Sequence, residues 1–185
     1  MCLSPCEAMN GRACIAVTGT PGTGKTALCH ELKETFQVLS LQDLAEQHAC
    51  IGSPDAVDGA APVDIHQLSE KWEHQGDGIT FIDGHLSHFL DVDAVVLLRC
   101  NPVELKKRLQ KRDYPAAKVT ANVEWELLSG TWAELLEFDI SQPLLELDTT
   151  TTSPEKLHAK ILSWIDKKFP SQSLKESSSK AIDWL

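Results

Sequence analysis

An eight-residue glycine-rich stretch at residues 19–26 constrains the fold of this chain more than any other feature. Its sequence, GTPGTGKT, fits the pattern G-x-x-x-x-G-K-[ST] of a phosphate-binding P-loop. The apolar, β-branched run CIAVT at residues 14–18 predicts a buried strand before the loop. Residues 27–34 predict a helix after it, with Leu28 and Leu32 on one face. Strand, loop and helix in this order form the context that phosphate binding requires.

The residue types of this loop suit an anionic ligand. Glycines let successive backbone N–H groups turn toward an anion, and the N-terminus of the following helix adds a partial positive charge. Lys25 is expected to bring a cation to the β- and γ-phosphates of a nucleotide, and the Thr26 hydroxyl is expected to ligate Mg²⁺.

A candidate magnesium-binding carboxylate lies further along the chain. Residues 79–83, ITFID, predict an apolar strand that ends in a carboxylate. After a P-loop this is the Walker B pattern, in which the aspartate, here Asp83, holds Mg²⁺ or its water. Asp91 and Asp93 compete for this role by their position, but they lie in the connection to the next strand.

Two histidines follow this strand. His85 lies two residues after Asp83 and either takes part in the chemistry or only caps the strand. For His88, in the next loop, a structural or solvated role is expected.

Hydrophobic patterning predicts five strands that alternate with helices, and therefore an α/β fold with one five-stranded parallel sheet and helices on both faces. The other strands are expected at residues 36–41, 93–98 and 144–148, and helices at 43–48, 64–75, 119–138 and 154–168. Ligands of such sheets bind at the carboxyl ends of the strands, where Gly22, Asp83 and Arg99 fall.

The helix after the fourth strand has a clear start. Asn101 suits the N-cap and Pro102 the first helical position, and we expect Val103, Leu105 and Leu109 to point inward. Arg108 lies near the end of this helix, where a basic side chain has a purely electrostatic explanation.

The 185 residues predict one domain with two flanking segments. Residues 1–12 are expected to be a disordered extension, residues 13–168 the domain, and the Ser-rich residues 169–185 a disordered tail. The apolar end of that tail, residues 181–185, is short but could dock on the domain or on a partner. Residues 50–62 lack periodicity and predict a mobile loop.

Composition restricts the partners and the compartment. The net charge of −10 argues against specific binding to nucleic acid and fits a small-molecule enzyme or a protein with a basic partner. The six cysteines show neither metal spacing nor a disulfide framework, and residues 1–12 lack the apolar core of a signal peptide, which predicts a reducing, cytoplasmic setting. No apolar run is long enough to cross a membrane.

The order of the motifs indicates a class of P-loop NTPase. No Asn-Lys-x-Asp motif for guanine occurs, which argues against a GTPase. The arrangement resembles nucleoside monophosphate kinases, in which a flap covers the acceptor and a lid covers ATP. Here the flap would lie at about residues 39–64 and the lid at about 108–118.

Five motifs sharpen this resemblance. They are GTPGTGKT at 19–26, IDGH at 82–85, VVLLR at 95–99, R-L-x-x-R-x-Y at 108–114 and A-N-V-E-x-E at 121–126. In this order they resemble the adenylate kinase isoenzyme 6 family, and its archaeal branch in particular, over about residues 12–168. Asp113 stands where many members of that family have glycine.

The resemblance implies a function and a set of site residues. Members of that family transfer the γ-phosphoryl group of ATP to AMP and are described as ATPases in small ribosomal subunit maturation, acting through a basic ribosomal protein. It implies ATP and Mg²⁺ as cofactors, with Asp83 organising Mg²⁺ or water, His85 in catalysis and Arg112 closing over ATP. The residues that it assigns to the ATP phosphates are Gly22, Thr23, Gly24, Lys25, Thr26 and Ala27.

A scarcity of arginine affects the choice of activity. Residues 39–78 contain no arginine and a single lysine, Lys71, so the flap offers little positive charge to the phosphate of AMP. We therefore expect a slow kinase with appreciable ATP hydrolysis. Two alternatives stay open: an assembly factor that uses ATP as a switch, with incidental kinase activity, and a P-loop kinase for another small acceptor.

Overall fold

Five parallel strands form the centre of the molecule. They pair in the order β2-β3-β1-β4-β5. Every residue of β1 and β4 is buried, because central strands of a parallel sheet are covered on both faces. The five-stranded parallel sheet predicted from the sequence is thus confirmed. The strands are β1 Ala13–Thr18, β2 Gln37–Ser40, β3 Ile79–Asp83, β4 Ala94–Arg99 and β5 Leu144–Asp148.

The structure is a computed structural model that describes residues 11–53, 61–170 and 172–185. The extension predicted at residues 1–12 falls almost wholly outside this part of the chain. So does the middle of the loop that we predicted at residues 50–62.

Eight helices and a 3-10 turn at Ser87–Phe89 complete the described residues. None of these helices has both the length and the apolar character needed to span a bilayer. The helices are α1 Lys25–Leu32, α2 Leu41–Gln47, α3 Ile65–Lys71, α4 Pro102–Gln110, α5 Ala116–Leu127, α6 Gly130–Glu137, α7 Pro154–Asp166 and α8 Leu174–Ser178.

Successive side chains of β1 serve the two faces of the sheet. Ile15 and Val17 belong to an apolar cluster formed with α1 and α7, whereas Cys14 and Ala16 belong to one formed with α2 and α3. This alternation is the two-residue period of a strand. Because helices cover both faces of the sheet, a ligand site can form at the carboxyl ends of the strands.

The helix predicted at residues 119–138 is divided into α5 and α6. Ser129 adopts the left-handed conformation, with φ of +53°, and ends the first helix. Gly130 follows directly, and a Cβ there would lie 2.1 Å from the ring of Trp125. The break therefore lets the chain turn tightly around that indole.

One inward residue predicted for α4 faces outward. Asn101 and Pro102 begin this helix as expected, and the Asn101 side chain accepts a hydrogen bond from the Val103 N–H at 3.0 Å. Leu105 and Leu109 are fully buried one turn apart, but Val103 is 67% exposed. The prediction for Val103 is wrong because a residue two positions before Leu105 lies on the opposite side of the helix.

The structure also differs from the predicted disordered tail. Residues 172–185 contain α8, whose N-cap Ser173 accepts from the Glu176 N–H at 3.2 Å. Leu174 and Ala181 pack against a cluster that includes buried Trp132. The Ser-rich composition predicted disorder, but these few apolar side chains attach the segment to the domain beside α6.

Candidate active site

A cleft of about 1120 Å³ opens at the carboxyl ends of the central strands. Its walls are the P-loop, the segment after β3, the turn between α4 and α5, and the inner faces of α5 and α6. A second cavity, of about 410 Å³ and lined by residues such as Gln37 and His74, contains none of the predicted site residues. The larger cleft is therefore the candidate active site.

The backbone of the P-loop has the shape that the motif predicts. Gly19, Gly22 and Gly24 have φ of +128°, +94° and +101°. A Cβ on Gly22 would lie 2.8 Å from Cδ2 of Leu109 and 2.9 Å from Cδ1 of Leu105, so glycine is needed there for space as well as for conformation. Gly24 is the N-cap of α1, whose first-turn N–H groups lack partners within the helix and suit an anion.

Lys25 lies under this loop. Its Nζ donates to the carbonyl oxygens of Gly19 at 2.6 Å and Thr20 at 3.0 Å. Burial lowers the pKa of Lys25 from 10.5 to about 8; the Asp83 carboxylate opposes that shift and the Arg112 guanidinium adds to it. The P-loop, the end of β3 and the turn after α4 are thus brought close enough for their charges to interact.

The two predicted magnesium ligands supply oxygen atoms at this edge. Asp83 is the last residue of β3 and pairs with Val17 of β1 and Ser40 of β2. Burial raises the pKa of its carboxyl group, and Lys25 opposes this. The exposed Thr26 lines the cleft, although Asp83 itself does not. A carboxylate and a hydroxyl fit Mg²⁺, which takes its other ligands from phosphates and water.

Among the described residues, no three His, Cys, Asp or Glu side chains lie together as a self-sufficient metal site. Asp93, a competitor of Asp83 on sequence, accepts a hydrogen bond from the Cys14 N–H at 2.7 Å. It therefore lies at the amino end of β1, at the opposite edge of the sheet from the P-loop.

His85 lies in the wall of the cleft. Although part of its surface is open, partial burial lowers its pKa from 6.5 to about 4, and the Lys25 ammonium adds to this, while Glu134 of α6 opposes it. The imidazole is therefore neutral at pH 7. Its main-chain oxygen accepts from Thr18 Oγ1 at 2.8 Å, which fixes the segment to the end of β1.

His88 is buried and supports this wall from behind. Its Nδ1 lies 2.7 Å from Thr18 Oγ1, and its Nε2 lies 3.5 Å from Oε2 of Glu134. Because the Thr18 hydroxyl donates to the His85 carbonyl, Nδ1–H of His88 is the donor to Thr18. These contacts fit a structural role for His88. Nothing in the sequence indicates that Glu134, in a predicted helix, would lie beside the two histidines.

The predicted lid begins with two arginines of different surroundings. Arg108 donates from Nη2 to the carbonyls of Thr149 at 2.8 Å and Thr150 at 3.0 Å, so it holds α4 against the end of β5. Arg112, exposed in the turn after α4, lines the cleft. Asp113 follows it with φ of +55°, the conformation that glycine adopts most readily.

Besides Asp83, three more predicted site residues do not line the cleft. The buried Thr23 donates from Oγ1 to the Thr20 carbonyl at 2.9 Å, and neither it nor the exposed Ala27 lines the wall. Any contact from these two with phosphate would be through the backbone. Arg99, expected at the ligand edge, is 1% exposed and turns inward to Glu126.

Several wall residues were not found from the sequence. They lie on α5, where Lys118 stands 5.0 Å from the Tyr114 ring and its carbonyl accepts from Nδ2 of Asn122 at 2.7 Å. Trp125, one turn further on, also lines the cleft. Their helical spacing predicts that they share one face of α5. The sequence does not show that this face lies opposite the P-loop across the cleft, because that depends on the turn between α4 and α5.

Comparison with known proteins places this chain in a family. Residues 15–129 match the model of a family described as an AAA domain. Curated proteins named "Putative adenylate kinase" are 36% identical over 172 residues in Archaeoglobus fulgidus (92% of this chain, 91% of that protein) and 32% identical over 163 residues in Methanococcus maripaludis (84% and 90%). One from Pyrococcus abyssi is 37% identical over 154 residues (82% and 83%). The chain belongs to this adenylate kinase family.

A solved structure, a deoxyadenosine kinase from M. mycoides with bound dATP, aligns with a TM-score of 0.48 at 14% identity, over 83% of this chain and 100% of that one. Membership of the adenylate kinase family, together with the P-loop cleft, supports nucleotide kinase activity.

Proposed function

We propose that this protein is an adenylate kinase of the isoenzyme 6 type, which slowly transfers the γ-phosphoryl group of Mg-ATP to AMP and also hydrolyses ATP appreciably. The observation that carries the proposal is that Lys25 and Arg112 line one cleft, while the Asp83 carboxylate lies close enough to Lys25 for their charges to interact. These residues come from three separate elements, and each has the charge that phosphoryl transfer needs.

The residues of the cleft have distinct roles in this proposal. The P-loop amides and the N-terminus of α1 bind the phosphates, and Lys25 neutralises charge on the β- and γ-phosphates. Thr26 and Asp83 would hold Mg²⁺, which supplies charge neutralisation and orientation when bound. Arg112 closes over the transferred group from the lid.

His85 is the proposed catalytic base or water-orienting group. A neutral imidazole can accept a hydrogen bond from the attacking group, and the Thr18 contact holds its backbone in place. If the attacking group is water rather than AMP, the same geometry gives hydrolysis, so the closing of flap and lid decides between the two reactions.

The flap supports a slow transfer to AMP. Gln42 and residues 61–63 form the wall of the cleft on that side and carry no positive charge. An acceptor phosphate would therefore depend on cations from elsewhere, such as Lys118 on α5. Weak orientation of AMP lowers the rate of transfer and leaves time for hydrolysis.

A second candidate is an assembly factor that uses ATP as a switch in small ribosomal subunit maturation. The observations that favour it are this weakly charged flap and the net charge of −10, which is complementary to a basic ribosomal protein. We place either activity in the cytoplasm, which agrees with the four free, buried cysteines among the described residues.

The test is the rate of ADP formation from Mg-ATP with and without AMP. We expect a rate that AMP stimulates and that Lys25→Ala abolishes, with Lys156→Ala on the exposed face of α7 as the matched lysine control. Hydrolysis that ignores AMP but changes with a basic ribosomal protein would favour the assembly factor. Activity that survives in Lys25→Ala would contradict both.

A further inference from the structure

A largely buried cluster of three charges lies directly behind the P-loop. Arg99 at the end of β4 is 1% exposed, and its Nε donates to Oε1 of Glu126 at 2.7 Å. Its Nη1 donates to Oε1 of Glu146 on β5 at 2.9 Å. Glu126 is itself 2% exposed. One guanidinium and two carboxylates in such a place need every hydrogen bond that the surroundings can supply.

Residues 181–185, which we call the strap, supply part of these hydrogen bonds. The Ile182 N–H donates to Oε2 of Glu146 at 2.9 Å, and its carbonyl accepts from Nη1 of Arg99 at 3.2 Å. Nε1–H of Trp184 donates to Oε1 of Glu126 at 3.2 Å, and its ring lies 5.9 Å from the guanidinium carbon. The strap therefore covers the cluster and completes its pairing.

Glu126 connects this cluster to the P-loop. Its Oε2 accepts from Thr20 Oγ1 at 2.5 Å. The main-chain oxygen of the same Thr20 accepts from Nζ of Lys25 at 3.0 Å and from Oγ1 of Thr23 at 2.9 Å. A continuous series of hydrogen bonds thus runs from Trp184 through Glu126 to the residue that holds Lys25.

Glu126 also lies on the helix that forms the other wall of the cleft. It lies on α5, which begins after the lid turn and presents Asn122 and Trp125 to the cleft. Its Oε1 accepts from the Cys100 N–H at 3.0 Å as well, which ties α5 to the end of β4. A displaced Glu126 would therefore shift the P-loop and α5 together.

We infer that Glu126 is a positioning residue for the P-loop and that the strap, through Trp184 and Ile182, holds Glu126 in the position that Mg-ATP binding requires. The strap thereby sets nucleotide affinity without touching the nucleotide. The inference rests on the proposed function only in that the P-loop binds Mg-ATP, and the identity of the acceptor does not enter.

The experiment measures the Kd for Mg-ATP by calorimetry, together with the melting temperature, in the full chain. Trp184→Phe keeps a ring over Arg99 and removes only the N–H donor to Glu126. We expect it to weaken binding about 3- to 10-fold, because it removes one of the four donors among the described residues that hold the buried Glu126 carboxylate in place. Trp164→Phe is the matched control, since Trp164 lies on α7, away from the P-loop, and the change removes a 3.5 Å hydrogen bond to the carbonyl of Pro170.

The other end of the series is tested at Thr20. Thr20→Val removes the hydroxyl that donates to Glu126 and is expected to weaken Mg-ATP binding by a similar factor. Thr20→Ser keeps a hydroxyl at this position and should bind Mg-ATP like the wild type. The double variant of Thr20→Val and Trp184→Phe should bind no more weakly than the worse single variant, because both changes break the same series.

Two results would overturn the inference. One is a Kd for Trp184→Phe equal to that of Trp164→Phe, even if the melting temperature falls, since the strap would then only stabilise the fold. The other is a double variant in which the two fold-changes multiply. A chain that binds Mg-ATP but does not phosphorylate AMP would contradict the proposed function and leave this test valid.

Discussion

At the scale of single residues, Lys25 shows how the site is prepared for an anion. Burial has removed much of the solvation of its ammonium, which is why its pKa falls to about 8. The carbonyls of Gly19 and Thr20 replace only part of that solvation. Phosphate oxygens in the loop would supply the negative charge that is lacking, so binding and protonation of Lys25 favour each other.

Asp113 gives a prediction about backbone strain. It has φ of +55°, a conformation that costs an L residue free energy and that glycine adopts without a Cβ clash. We expect Asp113→Gly to raise the free energy of unfolding by up to about 1 kcal/mol or leave it unchanged. Asp113→Val should lower it. Urea denaturation measures both, and a stabilising valine would contradict the assignment of this turn.

His74 gives a prediction about pH. Burial lowers the pKa of this imidazole below 6.5 and the Arg12 guanidinium adds to the effect, while Asp93 opposes it. The native state therefore binds fewer protons than the unfolded state, and stability falls as the pH falls below about 6.5. His74→Gln should lose less free energy of unfolding than the wild type between pH 7.5 and pH 5.0. Equal losses in urea titrations would refute the burial argument.

At the scale of elements, the lid turn between α4 and α5 brings a positive charge to the cleft. Arg112 extends from this turn into the cleft wall, one residue after exposed Lys111. A guanidinium that meets charge only in the transition state changes kcat more than the affinity for ATP.

We therefore expect Arg112→Ala to lower kcat by at least about 100-fold, with a much smaller change in the KM for ATP. Lys111→Ala is the matched control, because it removes an adjacent cation that does not line the cleft. Steady-state kinetics of ADP formation would measure both. If the two variants behave alike, the lid contributes only a general positive field.

The elements also show where prediction from sequence works. The bounds of β3 and β5, the helix start at Asn101 and the P-loop follow from local patterns that tertiary contacts do not alter. The same patterns also place Val103, because the helical period puts it on the opposite side of α4 from Leu105, so our inward prediction misapplied that period. The division of α5 from α6 depends on Trp125 packing against Gly130, a contact between residues whose meeting the pattern does not reveal.

At the scale of the whole molecule, the sheet gathers residues that are far apart in the sequence. The alternation of strands and helices predicts which strand ends share an edge, so Lys25 and Asp83 could be expected near one another. Glu126 could not, because a glutamate in an amphipathic helix is ordinarily solvated. Its burial depends on Arg99 and on Trp184, which lies 58 residues away in the chain.

The measurement that tests the central claim most directly is the fate of the label from γ-labelled ATP, incubated with Mg²⁺, AMP and the protein. The proposed adenylate kinase puts label into ADP as well as into inorganic phosphate. Lys25→Ala should remove both products, and the ADP share should rise with AMP concentration. Label found only in inorganic phosphate at every AMP concentration would contradict phosphoryl transfer to AMP and leave a P-loop ATPase.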